Sequence, residues 1–314
     1  MKTPMKSRFE VTPAFSYRLF AALCCMSLLI WWEPITATLA LALRQDAYSH
    51  ILLILPISII LVVLEWKRET WQPKPGIRPG SILLVLAILI GVAGLRWGRV
   101  EIFTGDVRLS LEMLALLTWW LGSFIVCFGV RIFRTCAFPL LFLLWLVPMP
   151  EFVLNRVVDF LQLGTAGLAR MLFASVGVPV ARDGTALMIP TLTVEVAQEC
   201  SSIRSSMMLV VSSMVMSYLL LRSFWGRAGV IIAAVPLSIA KNGLRVFTIA
   251  MLGAYVDRTF MTGRLHHQGG VLFFAVSLAG MLLLICIFGW AERRSGRPTT
   301  GQQVARLSTS GSMN

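Results

Sequence analysis

Apolar residues run along this chain in long blocks, each closed by a small cluster of charged ones. Blocks at 17–32, 49–66, 81–95, 109–130, 137–147, 205–221, 229–252 and 270–290 reach or approach the ~20 residues a helix needs to cross a bilayer. The pattern therefore predicts an all-α fold, a polytopic bundle of about eight transmembrane helices, with the third and fifth spans short. A weaker apolar segment, 35–43, is expected to lie along the membrane or to re-enter it. Trp31, Trp32 and Glu33 close the first block without a small-residue cleavage site, so it reads as an uncleaved span with tryptophans at the far interface.

Two stretches break the pattern. In 151–176, Arg156, Asp159, Gln162 and Arg170 are spaced among leucines and valines at helical intervals. This predicts an amphipathic helix on the outer membrane surface or packed over the bundle. Residues 178–196 hold Pro179, Gly184 and Pro190 and end in the alternating Leu192-Thr193-Val194-Glu195, a short connection of extended character.

Only 14% of the 314 residues are charged, against about 25% in a soluble domain, and no polar stretch is long enough to form one. The net charge of +13 reads as topology rather than nucleic-acid binding. The N-terminus, 67–78, 131–134, 222–227 and 293–297 are basic and nearly free of acidic residues, while the alternate loops mix both signs. The positive-inside rule then places both termini in the cytoplasm. The organisation expected is a cytoplasmic segment 1–16, a membrane domain 17–292 and a flexible cytoplasmic tail 293–314.

The polar interruption that needs a chemical explanation is 196–206, Val-Ala-Gln-Glu-Cys-Ser-Ser-Ile-Arg-Ser-Ser, ahead of the sixth span. Cys24, Cys25, Cys127, Cys136 and Cys286 lie in or beside apolar runs, where an unpaired cysteine behaves as a small hydrophobe. Cys200 alone has polar neighbours on both sides. A nearby cation lowers a thiol's pKa and favours the nucleophilic thiolate. Arg204 is one turn away, and Glu199 opposes the effect unless an arginine pairs with it. The plainer reading of Cys200 is a small residue at a helix start beside Ser201 and Ser202. The seventh span carries Lys241, Asn242 and Arg245 on one helix face, where charge is costly and normally meets a cavity or a partner. Arg245 could instead snorkel to headgroups, and Lys241 could be structural, paired with a carboxylate. His266 and His267 stand at the outer mouth of the eighth span. A cysteine, a histidine and an arginine to hold an oxyanion make an acyl-transfer site. No Cys/His spacing suggests a metal, and no cofactor is implied.

These motifs resemble the exosortase/archaeosortase family of membrane-embedded cysteine transpeptidases. The likeness rests on Ala197-Gln198-Glu199-Cys200-Ser201-Ser202-Ile203-Arg204-Ser205, on Lys241-Asn242-Gly243-Leu244-Arg245-Val246, and on His266 four residues before Gly270. Ser202 stands where the family usually has glycine. The resemblance covers roughly 45–290. It implies that Cys200 attacks the scissile carbonyl and forms a thioester, Arg245 steadies the oxyanion and His266 protonates the leaving amine, with Arg204, Glu199, Asn242 and Lys241 in support. It also implies exported-protein substrates bearing a C-terminal tripartite signal of Pro-Glu-Pro type, an inner-membrane location with the site on the periplasmic side, and a cell-surface acceptor. The rival class is a transporter or polysaccharide-export subunit that binds an anion through Lys241 and Arg245. A membrane protease that releases its product to water would share the site.

Overall fold

The structure is a computed structural model that describes residues 13–67, 72–97, 105–190, 192–196, 203–257, 259 and 264–294. The expected cytoplasmic segment 1–16 lies mostly outside the described residues, as does the tail beyond Arg294. The chain divides into two compact units, Met1–Arg156 and Val157–Asn314.

In the first unit, α1 (Pro13–Ile30) and α2 (Trp32–Arg44) meet at a 74° bend, so the weak segment after the first span turns sharply out of line with it. Helices α3 (Ile51–Trp66), α4 (Ile77–Trp97) and α5 (Gly105–Phe128) follow. Outward faces of these helices are apolar, with Ile82 68% exposed, as expected of surface in contact with lipid. The turn after α5 depends on Gly129, whose φ is +88°. A Cβ there would sit 2.0 Å from the Lys74 carbonyl oxygen, so only glycine fits.

After α6 (Val130–Thr135), the expected fifth span is a short apolar helix, α7 (Ala137–Phe142) running on into a 3-10 turn, Leu143–Leu146. Cys136 packs with Phe124 and Phe128 near the end of α5, while Ser110, near its start, donates a 2.7 Å bond to the Pro148 carbonyl. The chain from Cys136 to Pro148 thus returns along much of α5. Ser58 of α3 donates to the Pro139 carbonyl at 2.7 Å and Tyr48 to the Met149 carbonyl at 2.8 Å. These bonds satisfy acceptors that regular helix would have paired internally.

Charge is sorted along this unit. Tyr17, Trp66 and Phe128 meet at one end, beside Arg18, Lys67 and Arg131. At the other end Arg108 bonds Glu112 at 2.7 Å and faces Glu33 at 3.7 Å. The basic end and the mixed end are those the loop composition distinguishes.

The second unit holds α8 (Glu151–Ser175) from Val157 onward, a three-stranded antiparallel sheet and three long helices: α9 (Ile203–Leu220), α10 (Phe224–Tyr255) and α11 (Arg264–Arg294). The expected surface helix is amphipathic, burying Val158, Leu161, Thr165, Ala169 and Phe173 along one stripe. Its 25 residues are also long and apolar enough to cross a membrane. Among the described residues seven helices pass that test, or up to eight when the bent α1–α2 pair is one span, and the chain is an all-α polytopic membrane bundle.

The sheet comprises β1 (Ala181–Asp183), β2 (Ala186–Ile189) and β3 (Leu192–Glu195). Gly184, at φ +57°, makes the tight β1–β2 turn. Arg182 donates to the carbonyls of Gly184 (2.7 Å) and Leu163 (3.2 Å), tying the hairpin to α8. Leu187, Ile189 and Val196 pack with Ala166, Ala169 and Phe173 of α8 and Val246 and Ala250 of α10. Full burial of a leucine- or valine-sized side chain contributes about 1.5–3 kcal/mol, enough for so small a sheet to hold against the helices.

Candidate active site

Helix α10 is turned inside out relative to a soluble amphipathic helix. Ser238, Lys241, Asn242 and Arg245 follow helical spacing along its buried face, with Asn242 0%, Lys241 6% and Arg245 9% exposed. On the opposite side Ile232 and Leu244 are exposed. Burying polar groups in a membrane helix requires partners, and α9 supplies them. Lys241 donates from Nζ to the Ser205 hydroxyl, and Ser238 donates to the Ser206 hydroxyl at 2.5 Å. Two hydrogen bonds therefore fix the first turn of α9 halfway along α10. Among the described residues the bond of Lys241 is to a hydroxyl, and the neighbouring carboxylate Glu199 lies outside them.

The far ends of the same helices are held separately. Glu292 of α11 accepts backbone bonds from Arg222 (3.1 Å) and Ser223 (3.0 Å), capping the start of α10. Arg227 donates to the Leu221 carbonyl at 2.9 Å and lies over the Tyr218 ring. Phe288 faces Gly229 and Leu237 faces Gly280, so α11 runs antiparallel to α10. That register brings the first turn of α11, which contains His266 and His267, to the C-terminal end of α10. Leu168 faces Gly243 and Phe173 meets Phe247 edge-on at 5.0 Å, so α8 runs in the same direction as α10 where they touch.

The start of α9 thus meets the Lys241–Arg245 stripe midway along α10, and the first turn of α11 lies further toward the C-terminal end of that helix. Cys200 and Glu199 lie outside the described residues, and so do the side chains of His266 and His267. The chain is described up to Val196, whose N–H donates to Thr185 at 3.1 Å and whose carbonyl accepts from Gln162 Nε2 at 3.0 Å. It is described again from Ile203. Backbone geometry keeps Cys200 within about 14 Å of Val196 and about 10 Å of Ile203. Arg204 is exposed. Cys24, Cys25, Cys127, Cys136 and Cys286 are all free thiols.

Ser205, Ser206 and Ser238 seat the start of α9 on α10 and Gln162 holds Val196, and sequence reasoning assigned none of them a role. The available signal was the pair of adjacent serines one turn beyond a cysteine, opposite a serine three residues before a buried lysine. Removing one partner of the clasp is expected to slow processing several-fold while leaving protein abundance near normal. In a double-mutant cycle, Lys241→Met and Ser205→Ala should each show the loss, and the double variant should add little to it. Fully additive effects would show that the two side chains act separately.

Buried charged and polar groups within a membrane span commonly mark a substrate path or a reaction site. The model of the family described as Transmembrane exosortase (Exosortase_EpsH) matches residues 31–283, and the chain belongs to that family. No curated protein and no solved structure matches it. It is therefore a multi-pass membrane protein of a family of sorting-related cysteine transpeptidases, which act on exported proteins at the membrane.

Proposed function

We propose that this chain removes C-terminal sorting signals from exported proteins through a thioester on Cys200 and passes the protein to a cell-surface acceptor. The Cys200 thiolate attacks the scissile carbonyl, forming the C–S bond, and the Arg245 guanidinium steadies the oxyanion. As the C–N bond breaks, His266 gives its proton to the departing amine. A nucleophile on the acceptor then attacks the thioester and frees the thiol. Arg204, Glu199, Asn242 and Lys241 support the site, Lys241 by holding the turn that follows Cys200.

The observation that carries this reading is the double clasp of α9 on α10, Ser205 to Lys241 and Ser206 to Ser238, beside buried Arg245. It anchors the segment just after Cys200 within reach of the one planar cation on the stripe. Orientation follows from charge: Arg222, Arg227, Arg293 and Arg294 gather at the C-terminal ends of α9 and α11 and the start of α10, away from the clasped first turn of α9. The positive-inside rule assigns those ends to the cytoplasm and the site to the periplasmic side of the inner membrane.

Mass spectrometry of exported proteins tests the proposal. Cells with the enzyme should yield proteins that lack a tripartite tail, of Pro-Glu-Pro type, and gain the mass of an acceptor; cells without it should retain the tail. Identical masses in both would overturn the proposal, and a clipped product without added mass would indicate hydrolysis. Cysteines introduced in 67–78 should also resist an impermeant thiol reagent in intact cells, while those in 258–264 react; the reverse pattern would invert the orientation.

A further inference from the structure

The small sheet has one edge whose geometry suits a peptide. Because Val196 donates to Thr185, and Ala186 faces Glu195 in register, the inward-bonded residues of β3 alternate as Leu192, Val194 and Val196. Thr193 and Glu195 therefore direct their N–H and C=O groups away from β2, about 7 Å apart along the strand. Both residues are exposed, and among the described residues nothing pairs with that edge. The opposite edge, β1, offers only Arg182 in the equivalent outward position, because Ala181 and Asp183 face Met188 and Ala186.

We infer that the outer edge of β3 takes an extended segment of the exported substrate as a fourth strand, laying it alongside the approach to the thiol. The occupant follows from main-chain complementarity and position. Two outward donor–acceptor pairs match an extended peptide of any sequence, and Cys200 lies only five residues beyond Glu195, within about 17 Å by chain geometry. Leu187, Val194 and Val196 seat the other face of the sheet on α8 and α10, so the edge is held by a fixed core. This inference rests on the reading of Cys200 as nucleophile.

The test uses the full-length Cys200→Ala protein in lipid nanodiscs with a synthetic peptide. The peptide copies the segment preceding the hydrophobic span of a tail that the wild-type enzyme removes. Hydrogen exchange at the Thr193 and Glu195 amides should slow about tenfold or more on binding, with the Val194 amide, already bonded inward, little changed. Replacing single peptide amides by esters should weaken binding about five- to tenfold at alternate positions only. In the active enzyme, Thr193→Pro should raise KM by a similar factor with kcat retained. Unchanged exchange, or ester effects without a two-residue period, would overturn the inference even if Thr193→Pro proved poorly folded. The two readings fail separately. Processing by Cys200→Ala would remove the nucleophile, whereas a dead Cys200→Ala with an unprotected β3 edge would remove only the docking site.

Discussion

Cys200→Ala is expected to abolish removal of the C-terminal tail, a loss of more than about a thousandfold, while the protein still accumulates in the membrane. The thiol is the only group in the proposed reaction that bonds covalently to the substrate, so no neighbour can substitute for it. Truncating so small a side chain should cost less stability than a core deletion of about 2–5 kcal/mol. Mixing wild-type enzyme with a tail peptide and measuring intact mass should reveal a thioester adduct that Cys200→Ala lacks. The two histidines sharpen the test. His266→Ala should lose about 10²–10⁴-fold, because an amine expelled without a proton is a poor leaving group, whereas His267→Ala should be mild. Normal processing by Cys200→Ala would exclude an enzyme of this kind and favour a transporter. Equal losses at both histidines would displace the assignment of the acid without displacing the class.

Arg245→Lys is the second large expected effect, about 10²–10³-fold in kcat with near-normal abundance. The substitution keeps the charge that α10 already buries, so folding and insertion change little. It removes the planar fork that can donate two parallel hydrogen bonds to one oxyanion. Arg245 sits on the same buried stripe as Lys241, four residues away, so a second ammonium there would also lie close to the first. Kinetics on a tail peptide would separate the possibilities: a fall in kcat marks a transition-state contact, and a rise in KM alone marks substrate binding. Full activity in Arg245→Lys would reduce Arg245 to a structural charge.

The number and position of most helices and the charge of the two ends were legible in the sequence, which also singled out the candidate reactive groups. They are local properties. An apolar run of sufficient length must be helical in a bilayer, because no water is present to satisfy its backbone. A cysteine among polar neighbours and charges within an apolar run stand out against any membrane background. What only the tertiary structure decided depends on contacts between residues far apart in the chain. Ser205 meets Lys241 across 36 positions and Gln162 meets Val196 across 34, and no periodicity encodes either pairing. Ser58 and Ser110, on other helices, bond the carbonyls of Pro139 and Pro148, contacts that no local pattern encodes. The Leu192–Glu195 alternation predicted an extended segment, but whether it paired, and which edge it left open, followed from the packing of Leu187 and Val196 on α8 and α10.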